Sequence, residues 1–76
     1  MSRLGARFGQ VVRQLRELNG WSQELLAEKA NLNRSYLGEI ERGAAIPSIA
    51  TAAKVAVAFD ISLSSLFRRC ERVETA

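Results

Sequence analysis

Apolar residues recur at steps of three and four along this chain, and serine or asparagine stands in front of almost every such segment. This spacing places the apolar side chains on one face of an α-helix. The first segment predicts a helix of about four turns, ending at Asn19-Gly20, with the apolar residues Leu4, Phe8, Val11, Val12, Leu15 and Leu18. No segment shows the strict alternation typical of a β-strand, so the sequence predicts an all-α fold.

Four further short helices are predicted from capping residues. Serine and asparagine favour the N-cap because their side-chain oxygen accepts a hydrogen bond from a free backbone N–H. We expect N-caps at Ser22, Asn33, Ser48 and Ser62, and helix ends at Asn31, Gly43, Asp60-Ile61 and about Arg69. The tail CERVETA, residues 70–76, has no periodicity and is expected to be frayed. The sequence therefore predicts a single domain over residues 1–76, with an ordered core of about 4–69.

Length and residue types exclude several classes of protein. The 76 residues, 47% of them hydrophobic, suffice for one small core. With one cysteine, Cys70, and no histidine, the chain lacks a disulfide framework, a Cys/His zinc cluster and a Ser-His-Asp triad. We therefore expect no enzyme, no cofactor, no metal site and no small-molecule ligand. No run of eighteen apolar residues predicts a membrane span, and the lone thiol and the missing secretion signal favour the cytoplasm.

The charge balance favours a polyanionic partner. The chain has 11 Lys and Arg against 8 Asp and Glu, a net charge of +3, and a pI near 9.8. Residues 1–20 alone contain four Arg and one Glu. Arginine suits forked contacts with phosphate or guanine, so double-stranded DNA is a candidate partner.

Two short helices within residues 22–43 are joined by a turn of about three residues, Asn31-Leu32-Asn33. A turn this short makes the two helices cross steeply, which is the helix-turn-helix geometry. The outer face of the third helix then consists of residues able to contact base edges or phosphates, without a bulky apolar group, namely Arg34, Ser35, Gly38, Glu39 and Arg42.

The stretch WSQELLAEKANLNRSYLGEIERG, residues 21–43, resembles the lambda-repressor-like (Cro/Xre-type) helix-turn-helix DNA-binding family. The pattern of that family is matched by Ser22, Gln23, Leu26, Ala27, Tyr36, Leu37, Ile40, Glu41, Gly43, Pro47 and Ser48. The resemblance covers residues 4–67 and implies a five-helix domain in which helices 2 and 3 form the helix-turn-helix. The chain departs from the pattern at Asn31, which replaces the turn glycine, and at the small residues Ala50 and Ala52.

The resemblance also implies roles for individual residues. Gln23 resembles the family glutamine that reaches a DNA phosphate, at a helix N-terminus whose free N–H groups favour an anion. Arg34 and Ser35 open the helix expected in the major groove, where arginine pairs with guanine. Glu39 accepts from cytosine, pairs with a neighbouring arginine, or repels phosphates and so filters wrong sites. The remaining candidates are Gly38, for close approach to DNA or as a tolerated surface glycine, and the phosphate neighbours Asn33, Tyr36 and Arg42.

Two further features concern the domain itself. By resemblance, Arg16 and Glu41 form an ion pair between the first helix and the end of the third, and the alternative is two solvated charges. The fourth helix is apolar on more than one side, which predicts that a partner covers it. The candidate homodimer surface comprises Ile46, Ala50, Ala53, Val57, Leu63 and Phe67, and the alternative is a small core in which the alanines are only good helix formers.

The leading hypothesis is a transcriptional regulator that binds a palindromic operator as a homodimer, with half-sites about 34 Å apart. Its size resembles that of Cro-like phage regulators and restriction–modification controller proteins. One alternative is an antitoxin that uses the same DNA-binding unit and also binds a toxin. Another is a helical adaptor that binds only protein, which the outward Arg34 does not favour.

Overall fold

Five α-helices form the part of the chain that the structure, a computed structural model, describes: residues 3–75, with the side chains of residues 3–71. The helices are α1 (Arg3–Leu18), α2 (Gln23–Ala30), α3 (Arg34–Glu41), α4 (Ile49–Ala58) and α5 (Leu63–Thr75). Residues 3–75 contain no strand, so the predicted all-α fold with five helices is confirmed.

The capping residues set the helix boundaries as predicted. Each of the four N-cap side chains, Ser22, Asn33, Ser48 and Ser62, accepts a hydrogen bond from a backbone N–H two or three residues later, at 2.8 to 3.3 Å. A residue with left-handed backbone angles follows each of the first four helices. These residues are, from α1 to α4, Gly20, Asn31, Gly43 and Asp60. A left-handed residue ends a helix because it turns the chain away from the helical path while the last carbonyl groups keep hydrogen-bond partners.

All five helices contribute to a single core. The largest fully buried side chains come from every helix: Phe8, Val12, Leu26, Leu37, Ile40, Val55, Leu66 and Cys70. Helix α1 packs against α3 and α5, while α2 packs against α3 and α4. The loop before α2 is attached to this core by Trp21, whose ring stacks on Phe59 with 5.3 Å between ring centroids.

The ends of the apolar stripe of α1 lie outside the core. Leu4 is 47% exposed and Leu18 is 80% exposed, although both follow the predicted spacing. Glycine occupies part of the buried face instead, at Gly5 and Gly9. Periodicity therefore identified the correct face of α1 but overestimated the length over which that face is covered.

Gly9 allows the backbone of α1 to approach the C-terminal end of α3. A Cβ atom at this position would overlap the carbonyl oxygen of Ile40 and would lie 3.0 Å from that of Glu41. Backbone atoms cannot move aside as a flexible side chain can, so only glycine permits this contact. The periodicity of the sequence did not identify Gly9.

The predicted end of the last helix at about Arg69 is wrong, because α5 continues to Thr75. Cys70 has no exposed surface, its Sγ donates to the carbonyl oxygen of Leu66, and its own carbonyl oxygen accepts from Arg7 Nε at 3.1 Å. A buried cysteine packs like a small apolar residue and so extends the Leu63, Leu66 and Phe67 face by one turn. The burial of Cys70 raises the pKa of its thiol. The side chains of residues 72–76 lie outside the described part of the chain.

Within residues 3–75, no single helix has both the length and the apolar character needed to cross a membrane. Among the described residues, one pair of helices, Ile49–Ala58 and Leu63–Glu71, is long and apolar enough when the two are taken together. The two helices are bent by 100° relative to each other, and the match rests on length and composition alone.

Substitution of Gly9 by alanine is expected to destabilise the domain by about 3 kcal/mol or more, because the added methyl group meets backbone. The matched control is Gly38→Ala in α3, where the nearest atom belongs to the flexible side chain of Arg42. That variant is expected to be neutral or to gain up to ~1 kcal/mol from helix propensity. Urea unfolding followed by circular dichroism measures both, and equal effects would contradict the proposed close approach.

Cys70 is expected to react with Ellman's reagent at least ~100-fold more slowly in the folded protein than in urea, because the thiol is buried and its raised pKa keeps it protonated. Rapid reaction without denaturant would show that the last turns of α5 open readily, and would support the sequence prediction that the helix ends near Arg69.

Candidate nucleic-acid interface

The turn between α2 and α3 is as short as the sequence predicted. Asn31 takes left-handed backbone angles, φ 56° and ψ 50°. The backbone N–H of Leu32 then donates to the carbonyl oxygen of Ala27 at 2.8 Å, which closes the end of α2. Asn33 follows at once as the N-cap of α3, so only three residues separate the two helices.

Helix α3 has one buried face and one polar face. Leu37 and Ile40 have no exposed surface. Four of the five residues predicted for the outer face are exposed, namely Arg34, Ser35, Glu39 and Arg42. Tyr36 is half-buried against the core, and Asn33 is exposed while its Oδ1 accepts from the backbone N–H groups of Ser35 and Tyr36. The structure therefore assigns Asn33 a capping role and leaves the first turn of α3 accessible.

Gly38 differs from the expectation, because the structure buries it. A Cβ atom there would lie 3.2 Å from Arg42 Nη1 and 3.8 Å from Gln23 Oε1. These two side chains extend over the glycine, since residue 42 is one helical turn further along α3. Both sequence interpretations assumed that Gly38 is a bare position on the outer face, whereas the structure shows that it is covered.

Arg16 and Glu41 form the predicted ion pair. The guanidinium donates to both carboxylate oxygens, from Nε at 2.8 Å and from Nη2 at 3.0 Å, and its Nη1 donates to the carbonyl oxygen of Trp21 at 2.9 Å. The side chain of Glu41 is only 3% exposed and that of Arg16 is 14% exposed. The hydrogen bond with Glu41 raises the pKa of Arg16, so the guanidinium stays charged. The contact connects α1, the loop before α2 and the end of α3.

Gln23 contacts this pair directly, which the sequence did not indicate. Its Nε2 donates to Glu41 Oε1 at 3.0 Å, and the side chain is half-buried. The open depression around it has a volume of about 230 Å³ and is lined by Arg13, Arg16, Gln23, Glu41 and Arg42. Helix α1 thus brings Arg13, which the sequence analysis did not include among the candidate site residues, beside Gln23. The sequence signal that could have identified Arg13 is its position three residues before Arg16, which puts both side chains on the same face of α1.

Four of the six residues of the candidate dimer surface line two surface concavities, an apolar groove and a second depression. Ile46 and Phe67 line an apolar groove of about 190 Å³ together with Leu4, Phe8 and Ile49. Ala53 and Val57 line a separate depression with Lys29, Ala30 and Lys54, and the two sets of lining residues have no member in common.

Ala50 is exposed, whereas Leu63 is half-buried and packs against the core. The residues that the structure describes contain no group of three His, Cys, Asp or Glu side chains placed to hold a metal ion.

Known proteins resemble this arrangement in both sequence and structure. The restriction-modification controller protein C.AhdI from Aeromonas hydrophila has 44% sequence identity and a TM-score of 0.78, over 82% of this chain and 94% of that one. The control protein C.MunI from Mycoplasma sp is 34% identical over 73 residues, which are 95% of this chain and 99% of that protein. The immunity repressor protein of Bacillus phage phi105 is 45% identical over 58 residues, 76% of this chain and 40% of that protein.

Coverage of the longer relatives is partial. The chain spans only 36% to 61% of the length of three curated relatives that it matches. A family model described as helix-turn-helix, HTH_3, matches residues 12–66, a segment that contains α2, α3 and α4 in full. This match confirms the family resemblance that the residues around the turn indicated. The chain belongs to the HTH_3 family of helix-turn-helix proteins.

Proposed function

We propose that this chain is a sequence-specific transcriptional regulator that binds double-stranded DNA with α3 in the major groove. The observation that carries the proposal is the polar face of α3, where Arg34, Ser35 and Glu39 are exposed while Leu37 and Ile40 are fully buried. A helix with this division can enter a groove without exposing core residues. The names of the relatives, a restriction-modification controller protein, a control protein and a phage immunity repressor, support the same function.

Base reading is assigned to the first two turns of α3. Among the described side chains, neither Arg34 nor Glu39 takes part in an ion pair, so both remain available to base edges. Arginine recognises guanine through O6 and N7, and glutamate accepts from the amino group of cytosine. Ser35 lies beside Arg34 and can contact either type of base.

Phosphate contacts are assigned to the side chains around this face. Gln23 and Arg42 border the depression beside α3, and Asn33 and Tyr36 lie at the N-terminal end of α3. We add Arg13, which lines the same depression from α1. Contacts of this kind hold the protein in register on the duplex and make its affinity fall with rising salt.

We further propose a homodimer that forms through the apolar groove between α1, α4 and α5. Ile46 and Ile49 at this groove are 65% and 75% exposed, and Leu4 is 47% exposed. Large apolar side chains clustered in this way indicate an interaction surface. A two-fold partner would supply a second α3 and thus a palindromic site with half-sites about 34 Å apart.

Substitution of Arg34 by alanine is expected to relax preference at one base pair of each half-site, at a cost of about 1–3 kcal/mol. Selection of bound sequences from a random duplex pool, with the native protein and the variant in parallel, measures this. The control is Arg68→Ala, an exposed arginine of α5 that is far along the chain from the helix-turn-helix. Uniform weakening across all sequences would contradict base reading by Arg34, and the absence of any selected sequence would overturn the proposed function.

Substitution of Ile49 by aspartate is expected to convert the dimer into a monomer, because it puts a charge into the apolar groove. Val57→Asp is the matched control, since Val57 is 76% exposed on the same helix but lines the separate depression. Equilibrium sedimentation at micromolar concentration distinguishes the two. A monomeric native protein, or dissociation by Val57→Asp alone, would refute the groove as the dimer surface.

A further inference from the structure

We infer that Glu41 is a positioning residue for Gln23, and that its carboxylate holds one N–H of the Gln23 carboxamide so that the other is presented to a DNA phosphate. This inference rests on the proposed function, because it concerns how Gln23 meets the DNA backbone. The observation behind it is the hydrogen bond of 3.0 Å from Gln23 Nε2 to Glu41 Oε1. It joins a residue of the ion pair to a residue of the candidate interface.

The carboxylate of Glu41 determines which way the carboxamide of Gln23 faces. An ionised carboxylate only accepts hydrogen bonds, so the amide nitrogen must face it and the amide oxygen must turn away. The structure has this orientation, with Gln23 Oε1 on the side of Gly38. A reversed carboxamide would place two acceptors against each other.

The same orientation suits a phosphate. The amide nitrogen carries two protons, and Glu41 takes one of them, which leaves one donor for a second partner. Phosphate oxygens, like carboxylate oxygens, only accept. The depression beside Gln23 is bordered by the exposed cationic side chains of Arg13 and Arg42, whose charge attracts such a group.

Glu41 itself has little freedom to move. Both of its oxygens are held by Arg16, whose third nitrogen is held by the carbonyl oxygen of Trp21. A glutamine side chain has three rotatable bonds, and ordering them when DNA binds costs conformational entropy. A side chain that is already held by Glu41 has lost most of this freedom before the duplex arrives, so its phosphate contact contributes more affinity.

A purely structural role for Glu41 predicts a different response to mutation. If Glu41 only joins α1 to α3, its loss weakens the domain but leaves the contribution of Gln23 to DNA binding unchanged. If Glu41 positions Gln23, the two substitutions are coupled, and the effect of one depends on the presence of the other.

The first experiment measures the affinity for a duplex of random sequence at fixed salt, with and without Gln23→Ala, in three backgrounds. In the native protein and in Arg16→Lys, which both keep the carboxylate of Glu41, Gln23→Ala is expected to weaken binding on the order of threefold or more. In Glu41→Gln, whose single side-chain oxygen must also serve Arg16, the loss is expected to be less than twofold. The same loss in all three backgrounds would overturn the inference.

The second experiment needs no substitution at Glu41 and decides the matter if that variant does not fold. The side-chain NH₂ resonances of Gln23 are observed by nitrogen-15 NMR in the native protein and identified by their absence in Gln23→Ala. Addition of the duplex is expected to shift one of the two protons and to leave the other, bonded to Glu41, nearly unchanged. Two unchanged protons in a protein whose backbone resonances report bound duplex would refute the inference. No change in any resonance, even in dilute buffer, would instead overturn the proposed function.

Discussion

The position of α3 depends on its contact with α1. Gly9 and Arg16 are seven residues apart and so lie on the same face of α1, where each meets the C-terminal end of α3. Gly9 brings the two backbones together at Ile40, and Arg16 closes the ion pair with Glu41. Such a pair contributes little net stability against an apolar replacement, but removal of one partner leaves a buried charge that costs about 3–5 kcal/mol. If α3 were placed differently against α1, one buried charge would lack its partner. The pair therefore acts mainly by making such other arrangements of the two helices unfavourable.

Once this end of α3 is fixed, the rest of the helix-turn-helix follows. Leu37 and Ile40 turn inward, so Arg34 and Glu39 must face outward. Gln23 brings the first turn of α2 to the same carboxylate that holds α3. Candidate base-reading and phosphate-contacting groups thus lie on two helices joined through one carboxylate, and groups that are already held in place lose less conformational entropy when they bind.

The parts of the fold that the sequence predicted are those that depend on neighbours in the chain. Serine and asparagine caps and left-handed turn residues act within four residues, and these located the starts of four helices and the short turn at Asn31. The predicted end of α5 was wrong because residues 70–76 show no periodicity and were expected to be frayed, whereas the structure buries Cys70. Leu18 was placed on the apolar face correctly by spacing, but it is 80% exposed among the described residues.

The candidate site divides in the same way. The sequence alone determined that there are five helices, that α2 and α3 form a helix-turn-helix, and that the outer face of α3 is polar, because these properties follow from local periodicity and capping. The tertiary structure decided that Gly9 meets Ile40, that Gly38 is covered by Gln23 and Arg42, and that Ile46 and Phe67 line one groove while Ala53 and Val57 line another depression. These outcomes depend on contacts between residues far apart in the chain, and the spacing of residue types along a sequence contains no distances between helices.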